Sequence, residues 1–535
     1  MKRKNKAKAS KAIFKLSPLV LAMAGYFPAS VSAGIVLNAN DNKSPGLSAS
    51  ANNTPVININ NPDRNGLSHN KYQDFDVNNK GLIFNNSRQD GISKIGGVVK
   101  KNERLAQEST AILNEVTGAK GSYLNGAMEV FGRKADVIIA NENGITVNGV
   151  STVNTRALTL TTGRVNVEAP GQVKLAVARG AINVEGKGIN TDGLSYFDLI
   201  SRSAQLKAQI AGDAELKVVT GLNDYDLNKR THQVRSVADK DTPQVAIAGT
   251  ALGSMYGSRI ELISTESGAG VTHAGSLVGA RGIEISANGD IQLTGLLARE
   301  GDVRVSGRNI ALAKNAATDI GGINAKGDVI LQALQHMALA ADTVSEQGNI
   351  RINASTLLQS AASLLAKNGS RKATALEAIK IEVADSYTLS GQLYAIDPAS
   401  GRKIDHAIVR LRNGKYEVLV NNRVIPDAQV VSDATLASAA GNISVNAGSL
   451  HNQGGVISAK KGQLAVNLHA SFINNGLVQA EGTLAVHGKQ LKNSGLFNTT
   501  NDALLTLGTL ENSGALYGKG IKIDTQELAN QGIVL

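Results

Sequence analysis

Cysteine and tryptophan are absent from this chain of 535 residues, and its 10 Tyr and 8 Phe leave aromatics at 3%. Without cysteine there is no disulfide framework, no thiolate zinc site and no cysteine nucleophile. Scarce aromatics argue against an ordinary globular enzyme, whose compact core draws more heavily on Phe, Trp and Leu. Yet 42% of the residues are hydrophobic, too many for a disordered chain. They are mostly small aliphatics scattered among 56 Gly and many Asn.

A surplus of one charge sign is also largely missing. The formal net charge is +11, but seven basic residues (Lys2, Arg3, Lys4, Lys6, Lys8, Lys11, Lys15) precede residue 16 and no acidic residue lies within 1–33. Beyond residue 33 the balance is 48 basic to 44 acidic, so the chain offers no electrostatic footprint for nucleic acid. The basic start leads into the apolar run Leu16–Gly25 and then Val31-Ser-Ala33. A charged segment, a short apolar segment and small residues form a secretory signal peptide, predicted to be cut between Ala33 and Gly34. The run is shorter than the roughly 20 residues a spanning helix needs, and no later run reaches that length.

From Ile35 onward, short apolar stretches alternate with Asn, Gly, Asp and Ser, as in Ile283-Glu-Ile285, Val303-Arg-Val305 and Val329-Ile-Leu331. Each is too short for a helix and is bounded by turn residues, so the pattern predicts strands nearly throughout. Near the C-terminus Asn452-Gln-Gly454, Asn474-Asn-Gly476, Asn493-Ser-Gly495, Asn512-Ser-Gly514 and Asn530-Gln-Gly532 recur about every 20 residues. Gly-Asp and Gly-Asn turns at Gly289, Gly301, Gly327, Gly348 and Gly441 precede other apolar stretches. A period near 20 denotes one unit stacked many times. Leucine-rich spacing is absent, and a propeller needs a longer repeat. The pattern predicts an all-β, right-handed parallel β-helix of about 22 coils, a rod on the order of 100 Å long at about 4.8 Å per coil.

Residues 370–432 interrupt the repeat. There Asn413-Gly414 separates the β-prone runs Ile408–Arg412 and Lys415–Val420, a type I′ hairpin signal. The segment is expected to be a small inserted β subdomain projecting from the rod, either a binding element or an excursion tolerated at a coil corner.

The N-terminal third carries longer motifs. They include Val56-Ile-Asn-Ile-Asn60, Gly66-Leu-Ser-His-Asn-Lys-Tyr72, Gly81-Leu-Ile-Phe-Asn-Asn-Ser87 and Gly126-Ala-Met-Glu-Val-Phe-Gly132, the last running on to Asn141-Glu-Asn-Gly-Ile145. Thr159-Leu-Thr-Thr-Gly163, Phe197–Arg202 and Ala251–Thr265 follow in order. This series resembles the secretion domain of two-partner-secreted exoproteins, the filamentous haemagglutinins and contact-dependent inhibition proteins. The resemblance implies a β-helix with N-terminal capping strands and a partner, an outer-membrane β-barrel transporter with periplasmic POTRA domains. It also implies secretion through the periplasm to the cell surface, with a host-cell or bacterial receptor or glycan as the final partner. The family's two Asn motifs map to Asn102-Glu103-Arg104-Leu105 and Asn141-Glu142-Asn143-Gly144-Ile145. Where the family usually has Pro, this chain has Glu103 and Glu142, and Arg104 stands for the usual Asn. Glu is allowed at the second position of a type I turn, with less preorganisation than Pro. These motifs are either tight turns holding β-helix corners or direct contacts to the transporter. In such a pathway the lack of cysteine keeps the chain free of periplasmic disulfides before it is threaded.

No chemistry emerges elsewhere. The eight His show no metal-ligand spacing, no nucleophile elbow or P-loop occurs, and Gly268-Ala-Gly270 with Gly275 lacks dinucleotide spacing. No cofactor, metal or catalytic residue is predicted. The expected organisation is a signal peptide at 1–33, a secretion domain at 34–265, β-helical repeats at 266–369, the insertion at 370–432 and further repeats at 433–535. The expected function is that of a haemagglutinin-like adhesin, whose exposed faces and insertion would carry cell binding. The alternatives are the delivery stalk of a contact-dependent toxin and a β-helical polysaccharide-active enzyme. The C-terminal segment Gly532-Ile-Val-Leu535 is apolar, without Lys or Pro, and is expected to self-associate if it is the natural edge.

Overall fold

The computed structural model describes residues 34–235, 242–314, 320–367 and 377–535, and among them there is no α-helix. Ala33 and the segment 1–33 lie outside the described residues. Thirty-six strands join in one sheet whose pairings between coils are parallel, so the chain is a parallel β-helix. Inward positions stack rung over rung, as in Ile283, Val303, Val329, Ile350, Ile379 and Ile443. All are buried. Each such side chain contributes about 1.5–3 kcal/mol on leaving water, and one contiguous core results. At the N-terminal end Ile35–Leu37 pairs antiparallel with Leu67–Phe75, and Gly46–Ala49 pairs antiparallel with Pro55–Asn58. These are the capping strands. No break falls at residue 265, because the β-run Met255–Ala298 passes through it.

The C-terminal repeat has a packing cause. Asn452 donates to the Oδ1 of Asn474 at 2.8 Å, Asn474 to Asn493 at 2.9 Å, Asn493 to Asn512 at 2.8 Å and Asn512 to Asn530 at 2.7 Å. This ladder runs inside the corner and satisfies buried amides that would otherwise be costly. The glycine that follows lets successive corners touch. A Cβ on Gly495 would lie 2.1 Å from the Gly476 carbonyl oxygen. Gly495→Ala is therefore expected to destabilise the C-terminal coils by about 1–3 kcal/mol, seen as a lower urea midpoint and faster amide exchange there; an unchanged midpoint would contradict this packing account.

The insertion differs from its expected bounds. Glu377–Ser390, within the segment assigned to it, is a strand of the stack, pairing with Ile350–Ser360 and Asn442–Gln453. Its apolar residues alternate inward, and charge at Glu377, Lys380 and Glu382 faces outward or sits half-buried, which gave it the look of an insertion. The excursion itself is stemmed by Leu393–Ile396 pairing with Gln429–Ser432. Beyond this stem, Ile408–Arg412 and Lys415–Val420 form the predicted hairpin, with Asn413 at φ 47° and Gly414 at φ 73°. The subdomain does not project freely: Tyr517 Oη donates to the Asn413 carbonyl at 3.3 Å, tying the hairpin turn to a later coil.

One histidine is wholly enclosed. The ring nitrogens of His273 lie 3.1 Å from the carbonyl oxygens of Gly253 and Gly275. Burial lowers its pKa to about 4, against the pull of those two carbonyls. An unfolded His titrates near 6.5, so between about pH 6.5 and 4 the unfolded chain binds the extra proton and native stability falls as pH drops. The loss approaches about 3 kcal/mol. His273→Gln is expected to flatten this part of the stability-against-pH curve, measured by urea unfolding from pH 7 to 4.5; parallel curves would show that His273 does not contribute.

Candidate functional site

Both Asn motifs form turns whose first side chain points inward. Asn102 is 2% exposed. Its Nδ2 donates to the carbonyls of Ile59 at 2.8 Å and Asn85 at 3.0 Å, while its Oδ1 accepts from the Arg104 amide at 3.0 Å. The Leu105 amide closes the turn on the Asn102 carbonyl at 3.2 Å, and Leu105 is buried against the core. Asn102 thus bridges the capping strand Pro55–Asn58 and the strand Leu82–Asn86 from the chain that links them to later coils. A residue with both a donor and an acceptor at that reach is required, and Asn supplies both.

Asn141 repeats the device one coil on. It is 1% exposed, donates to the Lys120 carbonyl at 2.9 Å and Ser122 Oγ at 3.0 Å, and accepts from the Asn143 amide at 2.9 Å. Asn143 in turn donates to the Gly118 carbonyl at 2.8 Å. Gly144 takes φ +113°, a conformation that L side chains rarely adopt, and its amide reaches the Asn141 carbonyl at 3.1 Å. Ile145 then enters the core. The second motif residues face outward: Glu103 pairs with Lys101 at 3.2 Å with its side chain 77% exposed, and Glu142 lies 3.6 Å from Arg179. Arg104 spans outward to Asn60 Oδ1 at 3.2 Å and the Ser44 carbonyl at 3.4 Å. The first motif therefore combines a buried staple with an exposed rim, and the second a buried staple with a half-buried one. The two are not brought into one pocket.

Gly34, at the expected cleavage point, takes φ +124° and accepts the Asp76 amide at 2.7 Å. Sequence reasoning did not find two further features. The strands Arg164–Ala169, Gln172–Val177, Asn223–Asp226 and Thr231–Val234 form a separate antiparallel sheet laid over the rod on its own small core of Leu113, Ile138, Leu175, Ile200 and Tyr225. Arg230 clamps that sheet to the rod through Asp198, at 3.0 and 2.8 Å, and Glu215 at 3.0 Å. Burial raises the Asp198 pKa, and Arg230 opposes the shift. The alternating Arg164-Val-Asn-Val167 and Val173-Lys-Leu-Ala-Val177 flanking Pro170-Gly171 were the available hairpin signal. Among the described residues no group of three or more His, Cys, Asp or Glu could hold a metal, and no helix is long and apolar enough to cross a membrane.

Comparison with known proteins places this architecture. The family model of the TPS secretion domain matches residues 33–293, further than the boundary at 265. The chain is 42% identical over 263 residues to filamentous hemagglutinin of Bordetella pertussis, covering 48% of this chain and 7% of that protein. It is 40% identical over 297 residues to Toxin CdiA of Yersinia pestis, covering 54% and 9%. It spans less than a tenth of the length of these curated relatives. The solved filamentous hemagglutinin secretion domain superposes with a TM-score of 0.50 at 36% identity, covering 57% of this chain and 98% of that one. With its capped parallel β-helix, its two stapled Asn turns and this match along nearly the whole of a solved secretion domain, the chain belongs to the two-partner secretion exoproteins.

Proposed function

We propose that this chain is the exported leading part of a haemagglutinin-type adhesin. Residues 1–33 direct it to the periplasm, an outer-membrane β-barrel transporter with POTRA domains passes it outward, and the rod then presents its faces and the Leu393–Ser432 subdomain to a host or bacterial surface. The observation that carries this reading is the continuity of the secretion domain with the rod: one sheet runs from the capping strand Ile35–Leu37 to the Asn ladder. Its coils pair chiefly with their neighbours, so folding outside can proceed coil by coil and draw the chain outward. The Asn102 and Asn141 motifs serve in this reading as the export signals, through their turns and rims. No enzymatic role is assigned.

A second reading, the stalk of a contact-dependent toxin, is favoured by the similar identity to CdiA over the same part. Export in cells with and without the co-expressed transporter, followed by cell-binding and co-culture growth assays, separates the two. Transporter-dependent release of a chain beginning at Gly34 by mass spectrometry, with cell binding and no growth inhibition, is the expected result. Residues 1–33 retained outside the cell would defeat the cleavage assignment, and inhibition of neighbours would favour the stalk.

A further inference from the structure

A cleft of 360 Å³ opens where the overlying antiparallel sheet meets the rod, at the small end of the range typical of ligand sites. Three successive rungs of the rod supply its polar floor: Asp136, Arg156 and Tyr196. Leu227 and Arg230 from the overlying sheet's turn form the opposite wall. One end is fixed by side chains of the 63–65 loop, since Asn65 donates to the Pro170 carbonyl at 2.5 Å and the Gly171 amide donates to Asp63 at 2.7 Å.

The charges in this cleft are already matched. Arg156 holds Asp136 through Nε at 2.6 Å and Nη2 at 2.5 Å, and Arg230 is committed to Asp198 and Glu215. A charged ligand would have to give up its hydration beside pairs that already neutralise one another, with no unmatched counter-charge to replace it. An uncharged ligand need not. Asp136 keeps free lone pairs and Arg156 keeps free N–H groups, so an acceptor and a fork of donors stand side by side at fixed geometry. Arg230 lies over the Tyr196 ring, 4.2 Å from its centroid, which leaves the ring edge and hydroxyl rather than that face to a ligand. Among the described residues no hydrogen bond from the Tyr196 hydroxyl to protein is found, and Tyr196 lines the cleft. Leu67, Ile138 and Leu227 add an apolar strip.

Adjacent groups that both donate and accept, carried on a compact ring with C–H faces, are the chemistry of a sugar. A flat base is disfavoured by the occupied Tyr196 face, and an acid or amine by the paired charges. We propose that this cleft binds one uncharged pyranose unit of a glycan, held by Asp136, Arg156 and the Tyr196 hydroxyl. The proposal deepens the adhesin reading by naming a ligand class and a place, and it rests on that reading only for where the glycan is met.

The test uses the exported chain with methyl glycosides of glucose, galactose, mannose and N-acetylglucosamine, and with glucuronic acid and glucosamine as charged counterparts. Saturation-transfer NMR and calorimetry read binding. At least one neutral glycoside is expected to bind, more tightly than either charged sugar. Tyr196→Phe, which keeps the ring and its packing, should weaken binding roughly three- to tenfold, the worth of one hydrogen bond. Arg156→Lys should weaken it further because the fork is lost. Failure of all four glycosides at about tenfold above typical weak-site millimolar affinity, tighter binding of a charged sugar, or equal binding by wild type and Tyr196→Phe would overturn the proposal. Export yield and cell adhesion of the same variants keep the two readings apart. Export and adhesion without sugar binding sink the cleft alone, whereas sugar binding without adhesion sinks the adhesin reading alone.

Discussion

Replacing both Asn102 and Asn141 by alanine is expected to abolish the extracellular form of the protein while synthesis continues. Each substitution removes a buried amide that satisfies two acceptors and holds one turn amide. Leaving such groups unpaired costs about 1–3 kcal/mol apiece, at the N-terminal coils. Quantifying periplasmic and extracellular protein for the single and double variants, with and without the transporter, is the measurement. The exposed rim separates the two roles. If the motifs act by touching the transporter, Glu103→Ala with Arg104→Ala should cut export without changing the urea midpoint. If they act as staples, only the Asn variants should fail, and their stability and export should fall together. Normal yield from the double Asn variant would remove these motifs from the export pathway.

The second large effect is expected at Arg230. Its guanidinium is the partner of Asp198, whose side chain is 0% exposed. Arg230→Ala strands that carboxylate in the seam between rod and overlying sheet, and breaking a buried pair from one side costs about 3–5 kcal/mol. The overlying sheet should loosen before the rod does, because its own core is small. Limited proteolysis should then cut within 223–235 while the coils beyond 255 stay protected, and Asp198→Asn in the same chain should restore part of the resistance. A cleavage pattern identical to the parent's would show that the sheet is held by its apolar core alone.

Much of the fold was legible because a β-helix repeats its physics. Alternation at Ile283-Glu-Ile285 and Val303-Arg-Val305 marks strands with one face inward, and the structure stacks those residues in register. Asn413-Gly414 specified its turn locally, since both residues adopt positive φ as a type I′ turn demands. The Asn-x-Gly repeat was visible as a period, but its cause was not. That Asn474 bonds Asn493, and that Gly495 meets the Gly476 carbonyl, depends on which coil lies beneath.

The order of motifs from Val56 to Thr265 by itself determined the family, the strand-only architecture and the candidate Asn turns, because each is written in neighbouring residues or in a spacing of one coil. Tertiary structure alone decided three things. It placed Glu377–Ser390 in the stack, since a strand's charged face reads alike on a rod or an excursion. It laid the hairpin 164–177 beside 223–234, since antiparallel pairing across so many residues leaves no local signal. It also brought Arg230 to Asp198 and over the Tyr196 ring, since a residue of the overlying sheet meets its partners on the rod only once the coils have fixed their register.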